Sequence, residues 1–190
     1  MIDSPDRRLP APRHLVLPDG RTVTIRVAVP DDAPALIACL KQVGGETTFV
    51  TFGPEGFGLA EPEQRASIAS LLSQENALAL VAADGDRMVG SLTFTGGPRR
   101  RIRHTGEFGI GLLQAYAGMG VGRAMLEMLI AWAESGGIVR KLDLRVRVDN
   151  LTAIRLYEKL GWKVEGRVTR DLCVDGTFHD ILYMGRLVDP

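Results

Sequence analysis

Three glycines, Gly118, Gly120 and Gly122, alternate with Met119 and Val121 in residues 112–123, LLQAYAGMGVGR. An extended apolar run leads into them and a long amphipathic run leaves them. Glycine takes backbone conformations that other residues avoid and lets a ligand approach the main chain. A helix that starts there presents unpaired N–H groups and the positive end of its dipole, which favours an anion such as a phosphate. The same pattern also serves as a tight strand-to-helix turn with no ligand. Its G-x-G-x-G spacing departs from the G-x-G-x-x-G dinucleotide fingerprint.

Two further segments carry groups able to move protons. In residues 148–162, VDNLTAIRLYEKLGW, Asn150 stands at a helix N-cap and Tyr157 follows seven positions later. Seven residues are about two helical turns, so both project from nearly the same side. A phenol can protonate a leaving group, and the same two residues also suit a plain N-cap and a packed ring. Glu107 lies in RHTGEFGIGLLQ, where strand alternation sets Phe108, Ile110 and Leu112 on one side and Glu107, Gly109 and Gly111 on the other. The glycines leave the Glu107 side open to a ligand or a backbone. Its carboxylate suits a general base or a solvated edge charge.

The elements that must position these groups follow from turn and cap signals. Asp19-Gly20, Asp84-Gly85 and Asp175-Gly176 each separate two extended runs and predict hairpins, so much of the sheet is antiparallel. Helices are predicted from Asp31 to about Gln42, over 61–73, from Val121 to the Gly136-Gly137 pair, and over 150–160. Val121, Met125, Met128, Leu129 and Trp132 share one helical face. Residues 141–148 read as a strand with Leu142, Leu144, Val146 and Val148 on one face and Asp143, Arg145 and Arg147 on the other. The strand, glycine turn, helix and strand in the centre should form a crossover between parallel strands. Residues 1–19 read as an extended or poorly ordered lead-in and 20–190 as a single domain.

Composition narrows the function classes. Lys+Arg and Asp+Glu both number 23, which argues against a general nucleic-acid binder. Arg99, Arg100, Arg101 and Arg103 cluster, as a solvated loop or as a contact for phosphates or an acidic partner. Cys39 and Cys173 form no metal-ligand or disulfide pattern. No apolar run can span a membrane and no signal-peptide core is visible, which points to the cytoplasm. Phe49, Phe52 and Phe57 can line an acceptor pocket or anchor their loop. Glu46, Glu55 and Asp180 can attract a cation or sit as surface charges.

The order of the three segments resembles the GNAT superfamily of acetyl-CoA-dependent N-acetyltransferases over residues 20–188. The family's Gln/Arg-x-x-Gly-x-Gly/Ala turn is matched by Gly120 and Gly122, with Ala117 in place of the usual Gln or Arg. The second family signature is matched by Asn150, Ala153, Tyr157, Glu158, Lys159, Gly161 and Trp162. The tail EGRVTRDLCVDGTFHDILYMG is similar to bacterial acetyltransferases acting on free amines or protein N-termini, ribosomal proteins included.

The resemblance implies an α/β fold with a mixed, mostly antiparallel sheet, a splayed parallel strand pair and helices on both faces. It implies acetyl-CoA as cosubstrate, no metal, and a small amine or protein N-terminus as acceptor, with no nucleic acid and no membrane; family members are often homodimers. It assigns the cofactor to Leu112, Leu113, Ala117, Gly118, Met119, Gly120, Val121, Gly122, Arg123, Asn150, Ala153 and Tyr157. Glu107 would be the base, with Asp143 as fallback, and Tyr157 the acid. The alternative is a non-catalytic acyl-CoA-binding or regulatory module on the same fold.

Overall fold

The computed structural model describes residues 9–189. Eight strands form one sheet in the order β1-β2-β3-β4-β5-β6-β8-β7. They are β1 (Arg13–Val16), β2 (Thr22–Val27), β3 (Ala77–Asp84), β4 (Arg87–Gly96), β5 (Thr105–Leu112), β6 (Lys141–Arg147), β7 (Lys163–Val174) and β8 (Thr177–Leu187). Among the described residues, only β5 and β6 pair in parallel. The helices are α1 (Ala33–Glu46), α2 (Glu61–Ser73), α3 (Val121–Gly136) and α4 (Leu151–Lys159).

All three predicted hairpins are present. At the second, Asp84 pairs with Arg87, so the turn itself is Gly85-Asp86, with φ +57° at Gly85. At the third, Asp175 and Gly176 both take positive φ, as the two central residues of a type I′ turn require. Residues 1–8, within the predicted lead-in, lie outside the described residues. Arg13–Val16, also within that stretch, pair with β2, and Leu17 is buried.

The first helix corrects the sequence reading at both ends. A 3-10 turn, Pro30–Asp32, precedes α1, and α1 continues past Gln42 through Gly44 and Gly45 to Glu46. Gly44 is there for close packing rather than for termination. A Cβ on it would lie 1.9 Å from the carbonyl oxygen of Gly53, in the loop that follows. The third helix does stop as expected, at Gly137 with φ +68°.

The two faces of the sheet carry different helices. On one face, Val43 of α1 lies 3.2 Å from the Cβ position of Gly111, and α2 packs on α1 and β3. On the other, Phe94 meets Trp132 of α3 and Phe108 meets Tyr157 of α4, and Phe94 and Phe108 are register partners. The α3 stripe of Val121, Met125, Leu129 and Trp132 is buried against Leu80, Leu92, Phe94 and Leu142 in one core.

A polar clamp closes the start of α1. Asp32 accepts a fork from Arg26 (2.6 and 2.7 Å) and the Val29 N–H (2.8 Å). Burial works against the Asp32 charge, but these donors outweigh it and hold the carboxyl below its ordinary 3.8. A depressed folded value stabilises the fold above the unfolded value and ceases to do so as pH falls through the folded one. Asp32→Asn should therefore flatten the fall of Tm below about pH 4. An acid limb identical to that of the wild type would assign it to other carboxylates.

Candidate active site

The parallel pair opens like a V. Thr105, Gly106 and Glu107 pair with Lys141, Leu142 and Asp143, and beyond them β5 and β6 separate. The main-chain groups facing the gap follow from alternation. Gly97 N–H donates to Thr105 O, and Leu113 N–H donates to Val89 O, both 2.9 Å and both toward β4. Residues of the same parity therefore point to β4; the Phe108 N–H donates to Asp143 O in the last parallel rung, and the Phe108 C=O and the N–H and C=O groups of Ile110 and Leu112 point into the opening. Leu113 itself is buried, with its N–H committed to Val89.

The glycine turn sits at the rim of the opening, after a 3-10 turn at Gln114–Tyr116. Its glycines have two different reasons. Gly118 (φ +74°) and Gly120 (φ +89°) hold left-handed conformations with open space at their Cβ positions. Gly122 is needed for contact: its Cβ would lie 3.1 Å from Leu112 Cδ1, so it lets α3 rest against β5. The Ala124 N–H makes the first helical bond, 2.9 Å to Gly120 O. The N–H groups of Val121, Gly122 and Arg123 thus lack intrahelical partners, and no side chain caps them. Uncapped donors, the dipole and an uncrowded turn fit a pyrophosphate. Ala117 is extended and contributes only a methyl group.

A cation absent from the motif stands beside this turn. Arg21, from the first hairpin, lies 4.4 Å over the Tyr116 ring and 3.6 Å from Met119 Sδ. It is also forked to Asp19, while the Tyr116 hydroxyl donates to Asp84 (2.8 Å). The cluster ties two hairpins to the approach of the glycine turn. Nothing in the spacing of the sequence signals it, because the partners are long-range. Arg123 pairs with Glu127, which also pairs with Arg13.

Tyr157 and Glu107 occupy opposite faces of the V. Tyr157 packs with Phe108 (6.0 Å) and Trp162 (6.1 Å) on the α3–α4 face. Burial pushes its phenol up to about 12, and its hydroxyl has no hydrogen-bond partner among the described residues. Trp162 Nε1 donates to Leu142 O (2.9 Å), which fixes α4 and its following turn to β6. Asn150 caps α4, accepting from the Ala153 N–H (3.3 Å). Glu107 projects on the α1 face at the vertex and accepts from Arg145 Nε (2.9 Å). Asp143 beside it accepts from Thr105 Oγ1 (2.6 Å) and pairs with Lys141 (2.9 Å).

Arg147 lies, as the alternation predicts, on the face shared with Asp143 and Arg145, and it is only 7% exposed. It forks to Asp149 and donates to Thr48 O (2.9 Å) and Oγ1 (3.1 Å). It also lies over the Phe49 ring, 4.7 Å from the centroid. Phe52 and Phe57 stack edge to face at 4.7 Å. The three suggested cation attractors all hold structural bonds. Glu46 accepts from Gln114 N–H, Glu55 from Gly53 N–H, and Asp180 from Arg167 and the Arg170 N–H. The arginine run 99–103 lies in the β4–β5 turn, at the end of β5 remote from the glycine turn. The eight residues of β5 separate the two by about 26 Å, so the run and the glycine turn do not meet at one site. Among the described residues no cluster of His, Cys, Asp or Glu is placed to hold a metal ion, and no helix is long and apolar enough to cross a membrane.

A mixed sheet that opens between two parallel strands, with a bare helix N-terminus at the rim, defines a class of α/β proteins with a splayed sheet. Residues 47–162 match the sequence model of the Acetyltransferase (GNAT) family, and the chain belongs to that family. It is similar to the L-amino acid N-acetyltransferase AaaT of Escherichia coli, at 34% identity over 55% of this chain and 64% of that protein. The chain spans less than two thirds of the length of the curated relatives it matches. A GNAT-family acetyltransferase from Streptococcus pneumoniae superposes with a TM-score of 0.84 at 34% identity, covering 88% of this chain and 99% of that one. YncA of Salmonella typhimurium, solved with its cofactor acetyl-CoA, shares the fold with a TM-score of 0.76 at 21% identity, over 88% of this chain and 94% of its own.

Proposed function

We propose that this protein transfers an acetyl group from acetyl-CoA to a primary amine of a small molecule or a protein N-terminus. The observation that carries this reading is the placement of an unpartnered, protonated phenol and a carboxylate on opposite faces of one opening in the sheet. Acetyl-CoA, when bound, supplies an activated acyl carbon and a thiolate leaving group. The N–H groups of Val121, Gly122 and Arg123 would receive its pyrophosphate, and Asn150 and the main chain of Leu112 its pantetheine arm. The Ile110 N–H, the first gap-facing donor beyond the paired part of the V, is suited to the developing oxyanion.

The proton steps fall to the two side chains. Glu107 accepts the proton that an ammonium must lose before its nitrogen attacks the acyl carbon. The C–N bond forms, the C–S bond breaks, Tyr157 gives its proton to the departing sulfur, and the second proton, shed by the nitrogen as it becomes an amide, passes through water to restore the Tyr157 phenol. The phenol is suited to this because burial keeps it protonated throughout the neutral range.

Release of free CoA across a panel of amino acids, polyamines, aminoglycosides and peptides tests the reading. Turnover with at least one amine class is the expected result. Tight binding of acetyl-CoA with no turnover across the panel would favour the binding-module alternative, to which the Arg145 grip on Glu107 lends some support. With an active acceptor in hand, Glu107→Gln should remove the acidic limb of the pH–rate profile. A profile identical to that of the wild type would move the base elsewhere.

A further inference from the structure

The stretch that joins α1 to α2 is anchored on both sides of the V. On the β5 side, the Glu46 carboxylate accepts from the Gln114 N–H (2.6 Å). On the β6 side, Thr48 accepts from Arg147 through its carbonyl and its hydroxyl, and Phe49 stacks under the same guanidinium. Residues 46–49 therefore run as a strap across the open end of the splay, on the face that carries Glu107. The guanidinium that holds the strap is shielded from water, whereas its partner Asp149 is half exposed.

Arg147 also controls the turn that follows β6. Its fork grips Asp149 at 2.9 and 2.5 Å, and its carbonyl accepts from the Asn150 N–H at 3.0 Å. Asn150 then begins α4, the helix that carries Tyr157. One side chain thus contacts the strap on the acceptor face and sets the turn that presents Asn150 to the other. Planar, multi-donor geometry is what such a junction needs, and a lysine would offer the charge without the fork.

We propose that Arg147 is a positioning residue that couples the two substrate sites, so that cofactor binding at Asn150 orders the strap 46–49 over the acceptor opening. This rests on the reading of Asn150 as a cofactor contact. An occupied Asn150 fixes the 147–150 turn, the turn fixes Asp149, and Asp149 holds the guanidinium against Thr48 and Phe49. Coupling of this kind is reciprocal, so an ordered strap also favours cofactor binding.

Amide hydrogen exchange with and without coenzyme A tests the proposal, with coenzyme A affinity measured separately by calorimetry. In the wild type, coenzyme A should slow exchange in residues 47–53 by at least about fivefold, the low end of ordinary allosteric coupling. Compared at saturating coenzyme A, Asp149→Asn and Arg147→Lys should each lose most of that protection and, as reciprocity requires, bind coenzyme A more weakly by a comparable factor of about fivefold. A merely structural Arg147 would shift exchange equally with and without coenzyme A. Should Arg147→Lys fail to fold, Asp149→Asn decides, since it leaves the Thr48 contacts in place. Equal protection in the variants, or none in the wild type despite binding, overturns the coupling alone. A wild-type protein that does not bind coenzyme A overturns both the coupling and the cofactor reading beneath it.

Discussion

Tyr157→Phe should lower kcat by about two orders of magnitude, the usual contribution of a positioned proton donor, while acetyl-CoA affinity stays close to that of the wild type. The substitution is clean because the ring and the hydroxyl have separate roles. The ring packs edge to face with Phe108 and Trp162, and phenylalanine preserves both contacts. The hydroxyl has no partner among the described residues, so its removal leaves no orphaned group behind. Thermal stability should therefore hold while turnover falls. Burst and steady-state assays of CoA release against an active amine, with Tm as control, make the comparison. An unchanged kcat would remove Tyr157 from the chemistry and leave it a packing residue.

Trp162→Ala should cost about 3–5 kcal/mol of stability, as expected for truncating a large buried aromatic side chain, and lower Tm on the order of 10 °C. Trp162 is 2% exposed and touches both Phe108 of β5 and Tyr157 of α4. It also supplies the donor to Leu142 O, next to the last paired residue of β6. The loss thus combines a cavity with the removal of one of two donors on the Leu142 carbonyl, which keeps its ladder bond to β8. Trp162→Phe separates the two, since it fills most of the space and makes no hydrogen bond. Denaturant melts of both variants measure the difference. A cost below about 1 kcal/mol for the alanine variant would show that α4 is held elsewhere.

Local signals carried much of this architecture. Asp-Gly pairs mark hairpin turns because they tolerate positive φ, and the period of Val121, Met125, Leu129 and Trp132 marks a one-sided helix. The alternation around Glu107 and Phe108 correctly placed those two residues on opposite faces. What escaped depended on distant partners. Gly44-Gly45 resembles a helix stop and instead accommodates the loop at Gly53. Arg147 follows the period of the polar face of β6, and the alternation does not show that Thr48 and Phe49 cover it from a segment about a hundred positions away. Arg21 joins the glycine turn only once the first hairpin is laid beside Tyr116. Strand periodicity says which way a side chain points, not what will be folded over it.

The last hairpin gives one strand two lifetimes. The 181–185 part of β8 is pinned between β6 and β7, whereas its first residues and the tip at Asp175-Gly176 extend past the end of β6. Out there β7 is largely exposed on both faces, and its register slips between Val168 and Leu172 around Arg170, at φ +56°. Amides of the inner half should exchange only through global unfolding, while those at the tip open locally at far lower cost. The hairpin is a cantilever, rigid where it meets the V and compliant a few residues further out.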